Sequence, residues 1–205
     1  PSAVSTWRQC PALFKKRYIE RVAEPPTEAS ARGTLVHKSL ERLFEHEPES
    51  RTLETLQNDF REEWREARKS KQYRPLFFPE APAERTAADV SRERAWGLEA
   101  FRAFERYLDL EDPTTVEPAS REDVVCHPLG DGLEVKGIID RVDASSYAEG
   151  GLIITDYKTG RSPSTKYSPA VNARIRAEAF FQLQVYALLL RLDGRQPSGM
   201  RRMYL

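Results

Sequence analysis

A chain of 205 residues with 40% hydrophobic and 31% charged residues has room for one well-packed domain and the composition of an ordinary globular protein. Its formal net charge is zero, no apolar run approaches the roughly 20 residues of a bilayer span, and no signal-peptide pattern opens it, which together exclude a membrane protein and a uniformly basic one. The two cysteines, Cys10 and Cys126, are too few and too far apart for a disulfide scaffold, so a reducing cytoplasm is the expected compartment.

In chain order, the first feature is a basic stretch. Residues 8–21 hold Arg8, Lys15, Lys16, Arg17 and Arg21 against Glu20 alone. After Pro25-Pro26, the residues Val36, Leu40 and Leu43 recur at helical spacing, with Leu35 and Phe44 widening the stripe. A second helix is expected over about 53–71, with Leu53, Leu56, Phe60 and Trp64 on its apolar face. Residues 73–83, rich in Pro and Phe, predict a loop. A third helix is expected over about 85–109 with Val90, Phe101, Phe104 and Leu108.

From Glu122 onward the pattern turns to short β-type segments: Val124-Val125, then Leu133 to Val142, then Leu152-Ile153-Ile154. Asp131-Gly132 and Glu149-Gly150-Gly151 fall where hairpin connections belong. A Ser/Pro-rich loop follows over 159–169, and a last helix over about 174–192 shows Phe181, Val185, Leu188 and Leu192. The sequence stops at Met203-Tyr204-Leu205, which reads as a strand entered and unfinished, so a C-terminal extension is expected beyond it. The expected organisation is one domain over 1–205: a mainly helical part to about residue 115, then a β-rich core with the last helix. Residues 157–177 carry Lys158, Arg161, Lys166, Arg174 and Arg176 and no acidic residue. Such local basic surface serves either as a phosphate-backbone contact or as a solvated face.

The chemistry concentrates in Gly137-Ile-Ile-Asp140-Arg-Val-Asp143 and Leu152-Ile-Ile-Thr-Asp156-Tyr-Lys158-Thr-Gly160. Each of two apolar strands delivers a carboxylate near one end, and the second adds a lysine two residues on. Side chains alternate along a strand, so Asp156 and Lys158 point one way and Tyr157 the other. On neighbouring strands Asp140 and Asp156 can converge on a hard cation such as Mg²⁺, which takes oxygen ligands and few protein carboxylates. Lys158 then orients or deprotonates water, or offsets phosphate charge. Asp-x-Lys alone is a common tripeptide, and Asp143 and Asp156 serve equally as strand ends. His37 lies on an amphipathic helix one turn before Glu41, which suits either a packed histidine or a ligand oriented by a carboxylate. Tyr186 is either core or site, and its pairing with Gln182 one turn away favours a site.

Taken together, Asp140 followed by Asp156-Tyr157-Lys158-Thr159-Gly160 resembles the signature of PD-(D/E)xK nucleases of the RecB type. Gly33-Thr-Leu-Val-His37 resembles that family's histidine-bearing helix, Gln182-Leu-Gln-Val-Tyr186 its downstream motif, and Cys10-Pro11-Ala-Leu-Phe14 an N-terminal Cys-Pro element also seen in CRISPR-adaptation and AddB-type nucleases. The resemblance implies an α/β, restriction-endonuclease-like core: a small mixed sheet flanked by helices behind an N-terminal helical region. It implies a metal, Mg²⁺ or Mn²⁺, bound by His37, Asp140, Asp156 and the Tyr157 carbonyl, with Lys158 catalytic and Gln182 and Tyr186 beside it. Glu122 is a candidate further acidic member. Cys10 is a candidate ligand of a [4Fe–4S] cluster only if an extension supplies three more thiolates; otherwise it is a small buried hydrophobe.

The implied reaction is metal-assisted hydrolysis of DNA, as an exonuclease in repair or recombination, in the cytoplasm at the nucleoid, acting on single strands or free ends, with a helicase in trans as a candidate partner. The alternative is a catalytically silent or partner-dependent DNA-binding module of a helicase–nuclease assembly. Lys15, Lys16, Arg17, Arg161, Lys166, Arg174 and Arg176 are the candidate backbone contacts, and Tyr73, Phe77 and Phe78 either stack on unpaired bases or pack on their own core. Asp156 and Lys158 are expected at a solvent-reaching site, so that alanine at either position leaves folding nearly intact.

Overall fold

The computed structural model describes residues 2–78 and 84–205. Its elements in chain order are α1 (Ser2–Gln9), α2 (Pro11–Phe14), a π-helical turn (Lys15–Ile19), α3 (Glu28–Leu43), α4 (Leu53–Ala67), α5 (Ala87–Leu110), β1 (Pro118–Gly130), β2 (Leu133–Ala144), β3 (Gly151–Lys158), α6 (Pro169–Leu192) and β4 (Gln196–Tyr204). The chain is α/β, with a four-stranded mixed sheet and helices ahead of it. It divides into two compact units.

The helical unit comprises Pro25–Glu117, Tyr157–Gly160 and Met203–Leu205. Its helices start where the sequence supplies caps. The Ser30 N–H donates to Thr27 Oγ1 and the Thr27 N–H to Ser30 Oγ, and Thr86 with Asp89 repeats the box at α5. Leu35, Val36, Leu40 and Leu43 of α3 form the buried stripe their spacing predicts. They meet Leu56, Phe60 and Trp64 of α4 and Trp96, Phe104 and Tyr107 of α5 in one core. Trp64 and Trp96 stack with ring centroids 4.7 Å apart. The buried Asp59 ties α3 to α4 by accepting from Arg42 at 3.3 Å and facing His46 Nε2 at 3.1 Å.

Two expectations shift here. The second helix stops at Ala67, where the expected span ran on to 71, and turns replace its last residues. Phe77 is 1% exposed and packs against Trp64 and Trp96, so it is core and not a base-stacking ring. The expected loop over 73–83 is described only as far as Phe78, and its residues 79–83 lie outside the described part.

The sheet unit comprises the chain up to Glu24, Pro118–Asp156 and Arg161–Arg202. β1 and β2 pair antiparallel around Asp131-Gly132, whose φ angles of 51° and 73° make the type I′ turn that this dipeptide favours. β2 pairs antiparallel with β3. β4 lies beside β3 in the order β1-β2-β3-β4. Contacts from Ser198 to Leu152, Arg201 to Thr155 and Arg202 to Asp156 keep a constant offset of 46 residues, so β4 runs parallel to β3 after the α6 crossover.

Val125, Ile139, Val142 and Ile154 pack against Leu183, Tyr186, Leu189 and Leu190 of α6 in the second core. That face corrects the expected one, for Leu188 and Leu192 are 55% and 47% exposed. A helix with apolar residues nearly all round offers several stripes, and the sheet selects one. α6 also begins at Pro169, five residues before the expected start at Arg174, with proline in the first turn where its missing N–H costs nothing. The closing strand begins at Gln196, well before Met203. No helix among the described residues is long and apolar enough to cross a membrane.

Candidate active site

The strand register gathers the charged residues. Arg121 faces Arg141 and Asp123 faces Ile139, so Glu122 stands opposite Asp140. Arg141 faces Thr155, and the next position along sets Asp140 opposite Asp156. Beyond Asp156, Arg202 Nε donates to Oδ2 at 2.9 Å. One row therefore crosses all four strands as Glu122, Asp140, Asp156 and Arg202.

A local irregularity turns this row toward α6. Ile139 and Val142 are both fully buried in the same core, which strict alternation forbids for residues three apart. Opposite this stretch of β2, Glu122 adopts φ 44°, a left-handed conformation that a non-glycine residue occupies at a cost of roughly 1–2 kcal/mol. The three carboxylates then act together on the Tyr186 phenol of α6. Burial foremost pushes that phenol up to about 12, Asp140, Asp156 and Glu122 push the same way, and the hydrogen bond that Gln182 Nε2 donates at 2.7 Å opposes them. The phenol stays protonated at neutral pH and has a proton to donate.

Tyr186 reaches this position because residue 137 has no side chain. A Cβ at Gly137 would lie 2.5 Å from Tyr186 Cε1 and 2.8 Å from Cδ1. We expect Gly137→Ala to displace the ring and destabilise the protein by about 1–3 kcal/mol, as overpacking does. Chemical denaturation with and without Tyr186→Leu checks it, since the smaller side chain should relieve the penalty. An equal penalty in both backgrounds would refute the contact.

Three carboxylates in adjacent cross-strand positions repel one another. Arg202 offsets part of that charge, and its side chain is 10% exposed against 2% for Asp156. Asp156 is therefore buried, which corrects the expected solvent-reaching position. Nearby, the buried Arg141 lies 2.9 Å from Asp143 Oδ1, while Arg201 donates to Asp143 Oδ2 at 3.0 Å and to Thr155 Oγ1 at 3.1 Å. These pairs bind β2, β3 and β4 in register.

The donor set suits a hard divalent cation. Two facing aspartates are the oxygen donors of an ion that takes one or two carboxylates and otherwise water and phosphate. Among the described residues, no group of three or more His, Cys, Asp and Glu side chains stands at metal-holding geometry.

Tyr157, Lys158 and His37 belong to the helical unit. Tyr157 is buried there, its ring edge-on to His37 and to Tyr107 at 6.0 Å each. His37 is half-buried on α3. One turn earlier, a Cβ at Gly33 would lie 3.1 Å from Thr159 Oγ1, so the Gly33-x-x-x-His37 spacing lets α3 approach the Thr159-Gly160 turn. Lys158 is half-buried at the end of β3, and its carbonyl accepts the Leu205 N–H at 2.8 Å.

The candidate backbone contacts Lys15, Lys16, Arg17, Arg161, Lys166, Arg174 and Arg176 are all exposed. Three of them face carboxylates: Lys15 with Glu20 at 3.5 Å, Arg17 with Glu24 at 2.8 Å, and Arg174 with Glu178 at 4.0 Å. Their charge is thereby partly offset. Cys10 is exposed before α2, so it is not a buried hydrophobe. Cys126 is exposed on β1, its thiol pushed up foremost by a hydrogen bond with Glu134. Two such cysteines do not fit a [4Fe–4S] cluster, which takes four thiolates.

The sequence reading missed Arg202. Its signal was an arginine pair just before the apolar Met203-Tyr204-Leu205, which a strand begun earlier would have placed beside Asp156. Residues 1–205 match the family model described as the PD-(D/E)XK nuclease superfamily. No curated protein matches the chain.

Proposed function

The chain belongs to the PD-(D/E)XK nuclease superfamily, and on that premise we propose that it is a RecB-like, divalent-metal-dependent deoxyribonuclease that degrades DNA from its ends in repair or recombination. The observation that supports the reading is the antiparallel pairing of β2 with β3, in register as far as Arg141 and Thr155, whose next positions are Asp140 and Asp156, with Lys158 two residues further along β3. Asp140 and Asp156 hold Mg²⁺ or Mn²⁺, with the Tyr157 carbonyl and His37 as further ligands. A cation held there would supply Lewis-acid chemistry toward water and the phosphate.

The other steps belong to side chains of this chain. Lys158 orients the attacking water, accepts its proton or offsets charge building on the phosphate. Tyr186, held protonated, and Gln182 beside it donate hydrogen bonds to the strand being cut. Lys16, Arg161, Lys166 and Arg176 contact backbone phosphates without reading sequence. A helicase acting in trans and a place at the nucleoid accord with this reading.

End-labelled single- and double-stranded DNA is digested with Mg²⁺, Mn²⁺ or EDTA, wild type beside Lys158→Ala. We expect degradation in either metal, none in EDTA, and a loss of about 10²–10⁴-fold in the variant, the range for removing a general acid–base group. His37→Ala should raise the metal concentration needed for half-maximal cleavage. DNA bound but never cut in any metal would replace the nuclease with a DNA-binding module.

A further inference from the structure

The first 24 residues carry a set of aromatic rings to which the cleavage chemistry assigns no part. In the sheet unit, Trp7 of α1, Phe14 of α2 and Tyr18 of the π-helical turn form a ladder of rings. Trp7 meets Phe14 edge-on at 5.4 Å, and Phe14 lies tilted against Tyr18 at 5.2 Å. Phe14 is half-buried, whereas Trp7 is 53% and Tyr18 40% exposed. Aromatic rings left this open bury little area and contribute little to folding.

Cations flank the ladder. Residues 8–24 hold Arg8, Lys15, Lys16, Arg17 and Arg21 against Glu20 and Glu24, an excess of positive charge although two of the pairs are matched. Arg8 stacks over the Phe181 ring at 5.2 Å, and a cleft of about 290 Å³ lined by Ser5, Arg8, Gln9, Glu178 and Phe181 joins α1 to α6. Phe181 directly precedes Gln182 of the candidate site. The π-helical turn carries Lys15 and Lys16 on the element that presents Tyr18, and such turns recur at functional sites.

We propose that the Trp7–Phe14–Tyr18 ladder is a binding platform for single-stranded DNA, on which unpaired bases stack while Lys15, Lys16 and Arg21 hold the phosphates. This rests on the nuclease reading for the identity of the polymer and narrows its substrate to unpaired strands. The chemistry selects for that form, because a duplex hides its base faces and an abasic strand lacks them. Alternating rings and cations are the combination that binds single strands without sequence preference.

Trp7 is a built-in reporter, since the other two tryptophans, Trp64 and Trp96, are only 7% and 3% exposed. In EDTA, where nothing is cut, oligothymidylate should quench the full chain's fluorescence saturably. An abasic strand of equal length should bind weakly and quench little. Trp7→Ala and Tyr18→Ala, read by anisotropy of a labelled strand, should each weaken binding roughly tenfold. Circular dichroism checks that both remain folded.

Equal affinity for the abasic strand, or variants that bind like wild type, would overturn the platform. So would a wild-type dimer that the two substitutions dissolve, in the absence of quenching by DNA. A chain that binds single strands but cuts nothing would remove the nuclease and leave the platform standing.

Discussion

Asp156→Ala is expected to lower DNA cleavage by on the order of 10³-fold or more if, as proposed, Asp156 holds the metal whose several kcal/mol stabilise the transition state. It should also destabilise the protein, contrary to the expectation from sequence. Asp156 is 2% exposed and accepts from Arg202, itself 10% exposed. Alanine leaves that guanidinium buried without its partner, and breaking a buried pair costs about 3–5 kcal/mol. Asp156→Asn keeps an oxygen for Arg202 and should fold better while cleaving no better. The pair Asp156→Asn with Arg202→Gln should regain further stability and no activity. Urea unfolding and a cleavage assay on each variant separate the two roles. Wild-type cleavage by either single variant at Asp156 would end the assignment of the site.

The second large effect lies in the helical unit and leaves the chemistry alone. The side chain of Arg51 is 4% exposed. Its Nε donates to the His46 carbonyl at 3.0 Å and its Nη1 to the carbonyls of Pro113 at 3.2 Å and Val116 at 2.6 Å, while Nη2 pairs with Glu117 at 3.0 Å. One planar fork thus satisfies carbonyls from chain segments more than sixty residues apart. Arg51→Ala removes the donors and strands the acceptors, so a loss of about 3–5 kcal/mol is expected. Tm should fall by roughly 10 °C. Arg51→Lys keeps the charge but not the fork and should recover only part. Cleavage per folded molecule should be unchanged in both. A Tm for Arg51→Ala equal to that of wild type would sink the argument.

Those two residues mark what the sequence could and could not show. Asp156 was legible because Asp140 and Asp156-x-Lys158 sit at the ends of apolar runs, and a strand reading fixes where such side chains go. The helices α3, α4 and α5 were legible because their apolar spacing is locally determined and Thr27 and Thr86 announce two of their starts. Arg202 was not, since Gln-Pro-Ser-Gly-Met-Arg-Arg lacks the β-branched residues that betray a strand. β4 forms because a sheet edge is waiting for it, a tertiary cause that no window of sequence contains.

The burial of α6 on Leu183, Leu189 and Leu190 was hidden for the same reason. Several stripes were available, and the choice belongs to the sheet. Phe77 was ambiguous because a Pro/Phe-rich loop reads alike whether its rings face solvent or core. Glu122 shows the subtlest failure. Its left-handed backbone, φ 44°, is one that a glutamate within a strand gives no hint of.

The order of the strands also sets an order of events during folding. β1, β2 and β3 follow one another along the chain and zip through short connections, whereas β4 must return across the whole of α6. Closing that 46-residue separation is the costlier search, and parallel pairing of distant segments is slow. During the interval a nascent or refolding chain holds its three carboxylates side by side without the guanidinium that later neutralises one of them. We therefore expect docking of the last strand to be late in refolding and slowed by salt that screens Arg202 from Asp156.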